Sequence, residues 1–171
     1  GGVLAGTADP VTLVRVPSIR GQLRFWWRML FTTQGETYST FFARESAIWG
    51  STDDPSKVSL TVSSPPWPQR RNPQNHYGFS RFGPEAYAPF SAKQNDMDIV
   101  KEGLRFVLSL DFPADLEPQI LTTLRAWLAF GGIGSRTRRG CGSLSSEDAV
   151  LAPSRNSLVE LARSMNASLY L

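Results

Sequence analysis

The segment LEPQILTTLRAWLAFGGIGSRTRRGCGS, residues 116–143, decides how this chain is read. Leu116, Ile120, Leu121, Leu124, Trp127 and Leu128 recur at helical spacing and predict a strongly amphipathic helix. That helix runs directly into residues 131–143, where five glycines and three arginines share thirteen positions. No acid lies between Glu117 and Glu147. Glycine permits positive φ and close approach of backbone N–H groups, and successive N–H groups form anion-binding concavities. Arginine adds a planar, permanently charged fork. Such a loop suits a polyanion. It matches neither common nucleotide fingerprint. It lacks the Gly-Lys-Ser/Thr ending of a P-loop, and Gly132-Ile133-Gly134 follows a helix where a dinucleotide loop follows a strand. The competing reading is that the glycines only allow close packing at a helix-to-strand turn.

Working outward, residues 1–17 read as a strand end followed by turns, with Gly1, Gly2, Gly6, Pro10 and Pro17. Ser18 is a candidate N-cap, and Ile19, Leu23, Trp26/Trp27 and Leu30 predict a helix that ends near Thr32–Gly35. Arg20, Arg24 and Arg28 recur every four residues along one face of it. Tyr38–Trp49 reads as a second short helix closed by Gly50. Val58, Leu60 and Val62 alternate within a strand at 57–63, and Leu104, Phe106, Leu108 and Leu110 within another at 102–111. Between them, residues 64–89 carry six prolines among aromatics and bases and suggest no clear element. A closing strand is expected in 142–150, and a last helix over Ser157–Met165, with Leu158, Leu161 and Met165 on its buried face. The order is βαββαβ, so the expected fold is α+β and ferredoxin-like (RRM-related). Insertions follow the first helix and the second strand, in a single domain spanning residues 1–171.

Composition bounds the function. The 41% hydrophobic content argues against disorder, and 171 residues suffice for one core. No apolar run approaches a membrane span, so no membrane partner is expected. A lone cysteine, Cys141, excludes an internal disulfide and suits a reducing, cytoplasmic setting. Net charge is only +3, but its distribution is uneven. Residues 15–28 and 125–139 carry +8 without an acid, so the remainder sums to −5. Fifteen of the eighteen basic residues are arginine, which favours bidentate or stacking contacts over mere solubility. Catalytic constellations are thin. His76 stands without a partner, Asp53-Asp54 and Asp96-x-Asp98 read as solvated turn acids, and one Cys with one His cannot build an ordinary zinc site. No metal, no cofactor and no catalytic residue are expected.

Three segments resemble a known family. Arg15-Val16-Pro17-Ser18-Ile19-Arg20-Gly21-Gln22-Leu23-Arg24-Phe25-Trp26-Trp27-Arg28 is similar to the first-helix signature of RAMP-superfamily proteins, specifically the first-numbered RAMP subunits of the type III-B CRISPR Cmr effector complex. Glu45-Ser46-Ala47-Ile48-Trp49-Gly50-Ser51 resembles their acid-then-aromatic segment, and residues 131–144 resemble their glycine-rich loop. Gly1-Gly2 would be the tail of a strand that begins upstream. Family members carry two ferredoxin-like halves, and this chain has the length of about one. The resemblance implies a non-catalytic subunit that binds guide RNA, and with it target RNA, beside other RAMP subunits in antiviral defence. The implied RNA-binding residues are Ser18, Arg20, Gly21, Arg24 and Arg28 on the helix. Those in the loop are Gly131, Gly132, Gly134, Ser135, Arg136, Arg138 and Arg139. Two alternatives remain open: a metal-independent RAMP endoribonuclease using His76 or Tyr77 as base, and a module whose arginines dock an acidic partner subunit.

Overall fold

Two tryptophans one helix apart, Trp27 and Trp127, anchor the core of the computed structural model, which describes residues 14–63, 76–77, 99–100, 104–134, 137, 141–152 and 154–165. Helix α1 spans Val16–Phe31. Ile19, Leu23 and Trp27 recur at one-turn spacing on its buried side. The helix starts earlier than the sequence suggests. Arg15 is its N-cap without a side-chain bond, Pro17 sits in the first turn, and Ser18 lies inside the helix rather than at its cap. Proline is tolerated there because the first-turn N–H groups have no intrahelical acceptor. Helix α2 spans Tyr38–Trp49, opened by Thr37, which accepts from the Thr40 N–H, and closed by Gly50 at φ 80°.

Strands β1 (Ser59–Ser63) and β4 (Val107–Asp111) pair antiparallel, with Leu60 opposite Leu110 and Val62 opposite Leu108. This register puts the apolar set of both strands on the face that packs against the helices. Two short strands, β2 (His76–Tyr77) and β3 (Ile99–Val100), form a second antiparallel pair. His76 and Tyr77 therefore lie in a ladder, where the sequence suggested an irregular excursion. A 3₁₀ turn at Ala114–Leu116 leads into α3 (Glu117–Phe130), with Pro118 in its first turn. Its buried residues Ile120, Leu124 and Trp127 join those of α1 in one core. Helix α4 (Arg155–Ser164) is opened by a reciprocal capping pair of Ser154 and Ser157, and buries Leu161 and Ala162.

The outcome is a mixed α/β fold with small antiparallel sheets. The closing strand expected in 142–150 is absent: the described residues there form turns and irregular backbone. That stretch has Ser143, Ser145 and Ser146 beside Glu147 and Asp148, and offers no alternating apolar face. The expected first strand and most of residues 64–89 fall outside the described residues. No helix among the described residues is long and apolar enough to cross a membrane.

Candidate nucleic-acid interface

The glycine loop is a closed structure at its base. Helix α3 ends at Gly131, whose N–H donates to the Trp127 carbonyl at 2.8 Å. A Cβ on Gly131 would stand 2.6 Å from Trp127 Cδ1 and 2.7 Å from Trp26 Nε1, so two indoles occupy the space a side chain needs. Gly132 is buried, and its carbonyl accepts from Trp127 Nε1 at 3.3 Å. The returning arm of the loop is pinned by the Ile133 N–H, which donates to the Gly142 carbonyl at 2.9 Å. Gly142 has φ 70°, and a Cβ there would run into the Ile133 carbonyl. Among the described loop glycines, Gly134, exposed at φ 96° with open space where a Cβ would be, fits the expectation of a glycine facing outward. Gly131, Gly132 and Gly142 are thus glycines for packing, and they tie residues 133 and 142 together. The site candidates Ser135, Arg136, Arg138 and Arg139 lie outside the described residues. We expect Gly142→Ala to destabilise the fold by about 1–3 kcal/mol, and Gly134→Ala, which meets no clash, by less; thermal melts of the two variants check the order.

The α1 arginines turn towards the chain's own α2 and the segment that joins it to β1. Arg20 donates from Nη1 to Ser56 Oγ at 2.8 Å and to the Trp49 carbonyl at 3.4 Å, and from Nη2 to the Val58 carbonyl at 3.2 Å. Arg24 donates from Nε to Glu45 at 2.6 Å and from Nη1 to the Gly50 carbonyl at 3.3 Å. Arg28 grips both oxygens of the same carboxylate, from Nε at 2.9 Å and Nη2 at 2.7 Å. Glu45 is only 1% exposed. One buried acid on α2 thereby ties two arginines of α1, and the three arginines with this acid keep a net charge of +2. The Arg24 and Arg28 side chains remain 25% and 48% exposed. Ser18 and Gly21 are exposed on α1.

Burial alone would raise the Glu45 pKa, but the hydrogen bonds from Arg28 and Arg24, and their charge, outweigh it and leave the carboxyl below its ordinary value of 4.5. A carboxyl depressed by folding stabilises the native state above that ordinary value, and the contribution is lost as pH falls through the folded one. Melting temperature is therefore expected to fall on acidification below about 4.5, and Glu45→Gln to flatten that part of the profile.

Other sequence candidates settle into ordinary roles. The backbone N–H groups of Asp53 and Asp54 donate to Ser51 Oγ in an exposed turn. Cys141 is half-buried on the returning side of the loop. Among the described residues no cluster of three or more His, Cys, Asp or Glu stands ready to hold a metal ion. The sequence reading missed Glu45 as a site-shaping residue. Its signal was available: α1 carries arginines one turn apart and no acid, and Glu45 precedes core residues Ile48 and Trp49 by one turn.

The glycine loop and the arginine helix both fall within a longer match. The sequence model of the RAMP superfamily covers residues 1–145. This chain belongs to the RAMP superfamily. Among RAMP relatives, it is 28% identical over 137 residues to the CRISPR system Cmr subunit Cmr1-1 of Pyrococcus furiosus, covering 77% of this chain and 40% of that protein. The crystal structure of apo Cmr1 from the same organism superposes with a TM-score of 0.67 at 26% identity, covering 89% of this chain and 50% of that one. The chain thus spans half or less of the length of these relatives.

Proposed function

We propose that this RAMP protein is a non-catalytic RNA-binding subunit of a type III-B CRISPR effector complex, working in the cytoplasm beside other RAMP subunits. The observation that carries the reading is the loop at 131–142. Its base is fixed by packing glycines and one cross-loop hydrogen bond, and the sequence between Gly134 and Cys141 holds Arg136, Arg138 and Arg139 with no acid nearby. A fixed loop base joined to an arginine-rich, acid-free sequence suits sugar–phosphate contacts that position a strand without reading its bases. Likeness to a Cmr subunit supports guide RNA, with target RNA paired to it, as the strand. Among the α1 candidates, Arg28 offers the most exposed guanidinium, and Arg20 and Arg24 add field from behind the clasp. The ferredoxin-like topology is supported by the order α1, β1, β4, α3, which matches the inner four elements of that unit.

The test is binding of single-stranded RNA by fluorescence anisotropy across a salt series, in EDTA, with the RNA recovered afterwards. Retention of intact RNA with steep salt dependence supports a holding subunit. Cleavage that His76→Ala abolishes would replace it with the endoribonuclease reading. Absence of RNA affinity at low salt, alone and in assembly, would favour docking to an acidic protein.

A further inference from the structure

We infer that the outward face of α1, built by Gly21 and Phe25, is a base-stacking seat that extends the RNA track from the glycine loop; the inference rests on the RNA-holding reading above. Glycine inside a helix is less stable than alanine unless something needs the missing side chain. Gly131 and Gly142 have such a reason within the fold, whereas a Cβ on Gly21 would meet nothing within 4 Å. No described residue supplies that need, which points to a partner that approaches the α1 backbone closely. One turn further along the same face, Phe25 is 49% exposed, and Met29 follows at 45%.

These side chains do not stand apart from the loop. The Phe25 ring meets Trp26 edge-on at 5.2 Å, and the Trp26 ring lies 6.1 Å from Phe130, the last residue of α3 before Gly131. A continuous row of rings thus leads from the loop base to Phe25. Residues 15–31 contain no acid, and the half-exposed Arg28 stands one turn beyond Phe25. An apolar protein segment would use the rings alone. A single RNA strand uses every part: its backbone passes over the bare Gly21 turn, a base lies on Phe25, since every base offers a π-face, and the strand runs on towards Arg28.

Anisotropy with a fluorescein-labelled oligouridylate, together with thermal melts, tests this on Gly21→Ala, Phe25→Ala and Phe25→Tyr. Gly21→Ala is expected to raise the melting temperature by about 2–4 °C while weakening RNA binding, a combination that a purely structural glycine would not give. Phe25→Ala is expected to weaken binding about five- to a hundredfold at fixed salt, with the salt slope unchanged and Phe25→Tyr close to wild type. Wild-type binding left intact by both Gly21→Ala and Phe25→Ala overturns the stacking seat but leaves the loop reading standing. If the wild-type protein itself binds no RNA, the broader reading fails with it.

Discussion

Glu45→Ala is expected to lower the melting temperature by about 5–10 °C, corresponding to roughly 2–3 kcal/mol. Removing one partner of a buried ion pair ordinarily costs about 3–5 kcal/mol, because the other is left buried and unpaired. Here the stranded groups are two arginines whose side chains are 25% and 48% exposed, so water recovers part of that loss. The expected size therefore sits below the usual range but well above that of a surface pair, which is about 0–1 kcal/mol. Arg44 with Glu36 is the internal comparison. They pair at 2.7 Å, with the Arg44 and Glu36 side chains 41% and 8% exposed, and because Glu36 holds one arginine where Glu45 holds two, Glu36→Ala should shift the melt less. Equal shifts for the two variants would show that the α1–α2 clasp is not the stabilising contact described above.

Replacing Arg136, Arg138 and Arg139 together with alanine is expected to flatten the log–log salt dependence of RNA binding by roughly 2 units, since each single-strand phosphate contact contributes about 0.7. At moderate salt this corresponds to a loss of affinity of about a hundredfold or more. The melting temperature should stay close to wild type, because the described contacts of the loop base are made by Gly131, Gly132, Ile133, Thr137 and Gly142 and not by the three arginines. That separation is what distinguishes loop arginines from α1 arginines. Substituting Arg24 or Arg28 removes a bond to Glu45 and disturbs the fold itself. A triple variant with an unchanged slope would mean that these side chains do not neutralise phosphate.

Periodicity made much of this architecture legible. Ile19, Leu23 and Trp27 revealed α1, Leu116 to Leu128 revealed α3, and the alternation of Val58, Leu60 and Val62 located β1, because each element buries one face. Element ends were less readable. Ser18 looked like a cap, yet the chain turns helical three residues earlier, where Pro17 fits equally well. The 142–150 segment lacks the alternation of a strand, and turns and irregular backbone stand where a closing strand is expected. The site was half legible. Glycine composition marked the loop but not which glycines pack against tryptophans. That division depends on Trp26, remote in sequence and close in space. Arginine spacing marked a face of α1 but not its direction. The buried acid that claims Arg24 and Arg28 sits on another helix, and a one-dimensional pattern does not report contacts across elements.

Ultraviolet crosslinking of the protein to single-stranded RNA, followed by mass-spectrometric mapping of the attached peptides, reaches the central claim most directly. Attachment should concentrate in residues 18–28 and 131–143, and loop attachment should fall in the Arg136/Arg138/Arg139 triple-alanine protein. Attachment confined to the α2 segment and its following turn, residues 38–57, with none on the loop or α1, would contradict the account.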